Sequence, residues 1–145
     1  MSVLRFPTAQ AMDRLEAIEA IKLLGTSADL QAALDGSPRA APAVFVLTET
    51  TGGAIEFSGP PVQQTRNTAL KLVCWVSNHG RPAQVRDDMD QLLGDIDARL
   101  AGWTPGDAFA ELVMKAARDE FAHGAYLVAQ AVYDCTWTFS AEHQA

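Results

Sequence analysis

From Leu127 to Phe139 an apolar residue recurs at every second position, a strict period of two. Leu127, Ala129, Ala131, Tyr133, Cys135, Trp137 and Phe139 fall on one side, and Gln130, Asp134, Thr136, Thr138 and Ser140 on the other. A strand with one face in a core and one in water has this period; a helix does not. Half-buried strands of this kind belong to antiparallel sheets. The rest of the chain must therefore supply partner strands and an amphipathic layer to cover the inner face.

The covering layer is legible at Ala83–Ala101. Val85, Met89, Leu92, Leu93, Ile96 and Leu100 recur at helical spacing and form one apolar stripe. Asp87, Asp88 and Asp90 lie in the first turns, where the helix dipole favours negative charge; Arg99 lies in the last turn, and Gly102 ends it. Thr8–Leu24 reads as a second helix with Thr8 as N-cap, and Ala11, Met12, Leu15 and Ile18 on one side. Its end has two readings: Ala20–Thr26 completes the helix with Gly25 as C-cap, or forms a short strand. Ser27–Leu34 reads as a short helix capped by Ser27 and stopped at Asp35-Gly36.

Partner strands come from the middle of the chain. Ala43–Thr48 is a compact, β-rich run and reads as a buried strand. Glu49–Pro61, punctuated by Gly52-Gly53 and Gly59-Pro60-Pro61, reads as a long loop with Ile55 and Phe57 between its breakers. Val62–Ser77 is a strand that changes character midway, from polar Gln63–Thr68 to apolar Ala69–Val76. That pattern suits a strand whose first half lies outside the domain, in water or against a partner. Phe109–Glu120 carries conflicting signals: its composition and the Glu111/Lys115 spacing favour helix, while its place before His123-Gly124 favours one arm of a hairpin. Assembled, these elements predict an α+β fold, an antiparallel β-sheet with two main helices packed on one face, with residues 1–145 forming a single domain.

Several function classes lose ground on composition. Acidic residues outnumber basic ones 18 to 11, for a formal charge of −7, so tight binding to nucleic acid, which needs cations on phosphates, is disfavoured. The same sign suits a wall past which DNA slides without sticking. Met1–Thr8 lacks a secretory signal's apolar stretch, and no apolar run is long enough to cross a bilayer, so folding in the cytoplasm is expected. Cys74 and Cys135 lie in apolar, strand-like runs and read as buried thiols rather than a disulfide.

No catalytic constellation emerges. His79 and His123 lie beside glycines in turns and His143 in the tail, none with an orienting partner in sequence, so all three read as solvated. Asp87, Asp88, Asp90, Asp95 and Asp97 read as a solvated helix face, since residues two apart on a helix point in different directions. There is no nucleophile elbow, phosphate-binding glycine loop or dinucleotide fingerprint. Trp75 and Trp137 in strands, and Trp103 beyond a helix end, read as core packing rather than a stacking site. The expectation is a protein that is not an enzyme and uses no metal or cofactor.

The order of elements and several strings resemble one family. They are Ala41-Pro42-Ala43-Val44-Phe45-Val46-Leu47 opening the sheet, the Gly/Pro-rich loop, and the polar-to-apolar strand Gln64–Val76. The Asp-rich helix closing in Leu100-Ala101-Gly102-Trp103-Thr104-Pro105 and a C-terminal hairpin complete the set. Over most of its length the chain resembles the tail terminator proteins of long-tailed bacteriophages, especially those of Mu-like contractile phages. The resemblance implies a subunit that closes into a hexameric ring at the head-proximal end of the tail. Such a ring would cap the tail tube, end its polymerisation and offer a surface to the head connector proteins, with the sheath as a further candidate partner. DNA would pass through it without specific binding. A ring buries unlike surfaces of neighbouring copies against each other, and the residues expected to make subunit or tube contacts are Glu49, Ile55, Glu56, Phe57, Gln63, Gln64 and Arg66. Competing readings are a head-completion or connector-adaptor protein, a small ferredoxin-like ligand-binding domain, and a host accessory protein.

Overall fold

The computed structural model describes residues 3–56, 59–78 and 82–142. Five strands form one sheet: β1 (Leu23–Gly25), β2 (Ala43–Gly52), β3 (Val62–Ser77), β4 (Val113–His123) and β5 (Tyr126–Ala141), in the order β1-β2-β3-β5-β4. Three helices accompany it: α1 (Thr8–Glu16), α2 (Ser27–Asp35) and α3 (Pro82–Leu100). The sheet is antiparallel except at one edge. There β1 runs parallel to β2, with Leu24 opposite Val44, a departure from the expected purely antiparallel sheet.

The alternation along β5 organises the interior. Ala129, Ala131, Tyr133, Cys135 and Trp137 enter one core cluster with Val44, Val46, Leu70, Leu72, Cys74 and Val76 of the neighbouring strands. Leu15 of α1 and Val85, Met89, Leu92, Ile96 and Leu100 of α3 complete that cluster. Met89 and Ile96 are fully buried, so the apolar stripe read from the sequence faces the sheet. Residues of opposite parity form a second, smaller cluster: Ala43, Phe45, Trp75 and Val128, with Ala33 of α2. Because strand side chains alternate between faces, α2 covers the end of the other face. Beyond α2 that face is open and polar, carrying Glu49, Asn67, Lys71, Gln130 and Asp134.

Tertiary structure corrects three sequence expectations, two helix caps and the polar half of β3, and decides two readings that the sequence left open. The first helix ends at Glu16, and of the two readings of Ala20–Thr26 the short strand holds: the Lys22 and Leu23 N–H groups donate to the Pro42 carbonyl (2.8 and 3.3 Å) and Leu23–Gly25 becomes β1. Thr8 is already helical, with Pro7 in the cap position and no side-chain cap bond. At α2 the cap is Thr26, not Ser27: the Asp29 carboxylate accepts from the Thr26 N–H (2.8 Å) and hydroxyl (3.2 Å). Phe109–Glu120, open in sequence between helix and hairpin arm, takes the hairpin reading and supplies β4 from Val113 onward. Helix propensity differs by only tenths of a kcal/mol per residue, and an edge strand of eleven residues against β5 outweighs it. The hairpin turns through Gly124, whose φ of +58° is open to glycine at little cost.

The polar half of β3 is the third correction. Gln63–Thr68 does not run outside the domain; it pairs with β5 from Val62↔Ala141 through Thr68↔Cys135, and from Arg66 onward it also pairs with β2. Its polarity has another cause. Gln63, Thr65 and Asn67 point to the open face, while Gln64 and Arg66 point to the helix-bearing face beyond the reach of α3.

Candidate functional site

The loop after β2 and the first residues of β3 are tied together by their own side chains. The Gly53 and Glu56 N–H groups donate to the carbonyls of Thr65 (3.4 Å) and Gln63 (2.9 Å). The Thr65 hydroxyl donates to Glu56 Oε1 at 2.7 Å. Gln64 Nε2 donates to the Gly53 carbonyl, and Gln64 Oε1 accepts from Arg66 Nε at 2.6 Å. Contiguous polar residues of β3 thus hold the loop against the end of the sheet, with Ile55 left 60% exposed at its rim.

The pleat divides the seven candidate contact residues. Glu49 and Gln63 lie on the open face, where Glu49 Oε2 pairs with Lys71 Nζ at 3.0 Å. Gln64 and Arg66 lie on the helix-bearing face, while Ile55 and Glu56 occupy the rim between. Phe57 lies outside the described residues. The set therefore gathers at one end of the sheet without sharing a face.

Arg66 belongs to a feature that the sequence did not disclose. With Leu4, Arg5, Phe6, Thr8, Thr48, Thr50 and Trp137 it lines a recess of about 510 Å³. Its guanidinium lies 3.7 Å from the centre of the Phe139 ring and 5.8 Å from that of Trp137, within cation–π range. Beneath it, Trp137 Nε1 donates to the Thr68 hydroxyl (2.9 Å), which shares a 2.8 Å hydrogen bond with the Thr50 hydroxyl. The N-terminal segment closes the recess because Val3 pairs with Ser140 of β5 before the chain turns toward α1. Nothing in the local pattern around Arg5 signals this placement, which depends on a contact spanning almost the whole chain.

The remaining sequence candidates resolve individually. Trp75 and Trp137 are buried, in the smaller and the main core cluster respectively, and Trp103 is half-buried against the main one. Both cysteines are free and buried; burial pushes the Cys74 thiol up to about 12 and the Cys135 thiol up to about 11. His123, expected to be solvated, is instead half-buried at the end of β4. Its ring packs edge-on to Trp75 (5.3 Å) and Phe121 (6.0 Å). His79 and His143 lie outside the described residues. Asp88 and Asp95 each accept from a glutamine one turn earlier on α3, Gln84 (2.8 Å) and Gln91 (3.0 Å). Among the described residues no three His, Cys, Asp or Glu side chains converge as a metal site, and no helix is long and apolar enough to cross a membrane.

What the geometry offers is a set of contact surfaces: an open polar sheet face, a braced loop rim and an arginine-lined recess. No match was found among curated proteins. A family model does match, that of the phage tail terminator protein, over residues 1–143. That family is structural rather than enzymatic and works in the tail of the virion. With nearly its entire length matched, the chain belongs to the phage tail terminator family.

Proposed function

We propose that this chain is the subunit of a hexameric ring that caps the head-proximal end of the tail tube. The ring ends tail polymerisation and presents the surface to which the head connector proteins join. The observation that carries this reading is the family match across residues 1–143, joined by the resemblance of the strings at Ala41–Leu47 and Leu100–Pro105 to that family. The fold suits the role. A closed ring joins unlike patches of one subunit, and the braced rim and the open sheet face are two such patches on one rigid sheet.

In this reading Ile55 and Glu56, with Phe57, meet a neighbouring copy or the tube end, and Glu49, Gln63, Gln64 and Arg66 border the contact. The loop is held by the β3 side chains rather than by its own packing, so its apolar tip is presented at little cost to the fold. The net negative charge keeps DNA from adhering to the channel wall as it passes. The test is native mass measurement of the protein alone and with purified tail tubes, comparing the parent with Ile55→Glu. A hexamer bound at one tube end, weakened by the substitution, supports the assignment. A parent that never associates with itself or with tubes contradicts it.

A further inference from the structure

The recess between the N-terminal segment and the β2–β3 end has an unusual charge for an acidic protein. Two arginines, Arg5 and Arg66, line it, and no aspartate or glutamate does. Arg66 uses Nε for Gln64 and its planar face for Phe139, and among the described residues its terminal nitrogens have no carboxylate partner. Arg5 makes no ion pair among them either. A guanidinium fixed by stacking and by one hydrogen bond is pre-organised, and its free edge matches the two oxygens of a carboxylate. The hydroxyls of Thr8 and Thr48 add uncharged polar groups to the same wall.

We infer that this recess is an anion-binding socket that receives an aspartate carboxylate from a second copy of the chain. The inference rests on the ring reading above. A ring contact needs two different patches, and the complementary one is present on α3. Asp87 and Asp90 are exposed on its outer surface and, unlike Asp88, Asp95 and Asp97, have no hydrogen-bonding or ionic partner among the described residues. They lie three residues apart on one side of the helix, so they can enter one socket together. A cationic recess and an anionic helix face on one chain favour head-to-tail association and penalise like-to-like pairing, where equal charges would meet.

The test is a charge exchange in the full-length protein. Arg66→Glu and Arg5→Glu are made separately, because Arg66 also packs on Phe139 whereas Arg5 is exposed; Asp87→Lys/Asp90→Lys is the reciprocal variant. Assembly is read by particle mass and by capture on purified tail tubes, with thermal melting as the folding check. Each variant should weaken self-association about tenfold or more, and combining Arg5→Glu with Asp87→Lys/Asp90→Lys should restore most of it. Folded single variants that assemble like the parent, or an exchange that restores nothing, overturn the socket while leaving the family role intact. Assembly that is unchanged while affinity for DNA falls would assign the recess to phosphate and equally overturn the inference. Failure of the parent itself to assemble would count against the ring and not only the socket.

Discussion

Trp137 donates its indole N–H to the hydroxyl of Thr68 at 2.9 Å, linking adjacent strands where the apolar core gives way to the arginine-lined recess. Thr68 is the single polar residue among the fully buried side chains described, and Trp137 is its reason. An indole can only donate, so burying its N–H beside an acceptor avoids the cost of an unmet donor. Thr68→Val preserves shape but removes that acceptor. The expected loss is about 1–3 kcal/mol, read as a lower midpoint in chemical denaturation. Thr68→Ser should retain most of the stability. A valine variant as stable as the parent would show that the hydrogen bond contributes nothing.

Leu92 lies at the centre of the α3 stripe and is 2% exposed, packed in the main cluster with Met89 and Ile96. Leu92→Ala should cost about 2–5 kcal/mol. Leu93, half-buried beside it, should cost less. Equal losses at the two positions would contradict the orientation of α3.

Burial also gives the stability a pH dependence. The Cys74 thiol, at 9.0 when free, is pushed up to about 12 in the fold, and the Tyr133 phenol moves in the same direction through burial and its 2.9 Å bond to Asp97. Both groups are neutral when protonated. The unfolded chain therefore loses these protons first, so their contribution is complete below about pH 9 and is lost as pH rises toward 12. The melting temperature should fall above pH 9, and less steeply in Cys74→Ala. For the same reason neither cysteine should react with iodoacetamide in the folded protein. Rapid native alkylation of Cys74 would contradict its burial.

Much of the architecture was legible because the strongest patterns were long. The period of two along β5 and the stripe of α3 each repeat many times, and the faces they define are the faces observed. Short or conflicting segments were decided by partners remote in sequence. Leu23–Gly25 became a strand because β2 was there to receive it, and Val113–Glu120 because β5 was. The polar half of β3 misled for a subtler reason: a strand buried in backbone hydrogen bonds can still be polar on both faces when one is open and the other lies beyond the helices. His123 was read as solvated from its glycine neighbour, though Trp75, far away in sequence, claims its ring. The recess was not legible at all, since it joins Arg5, Thr48, Arg66 and Trp137 from four separate stretches of chain.

Ile55 separates fold from assembly. At 60% exposure its replacement by glutamate should change stability by no more than about 0.5 kcal/mol, while ring formation or tube capture weakens. A variant that melts like the parent and caps tubes equally well would remove the loop rim from the contact.

The most direct measurement is the length distribution of tails, by electron microscopy, in phage lacking this protein and in the same phage supplied with it. Without it, tails should be uncapped, variable and often overlong, and should fail to join heads. Supplying the protein should restore one sharp length with a ring at the head-proximal end. Tails of normal, uniform length formed in its absence would contradict the account.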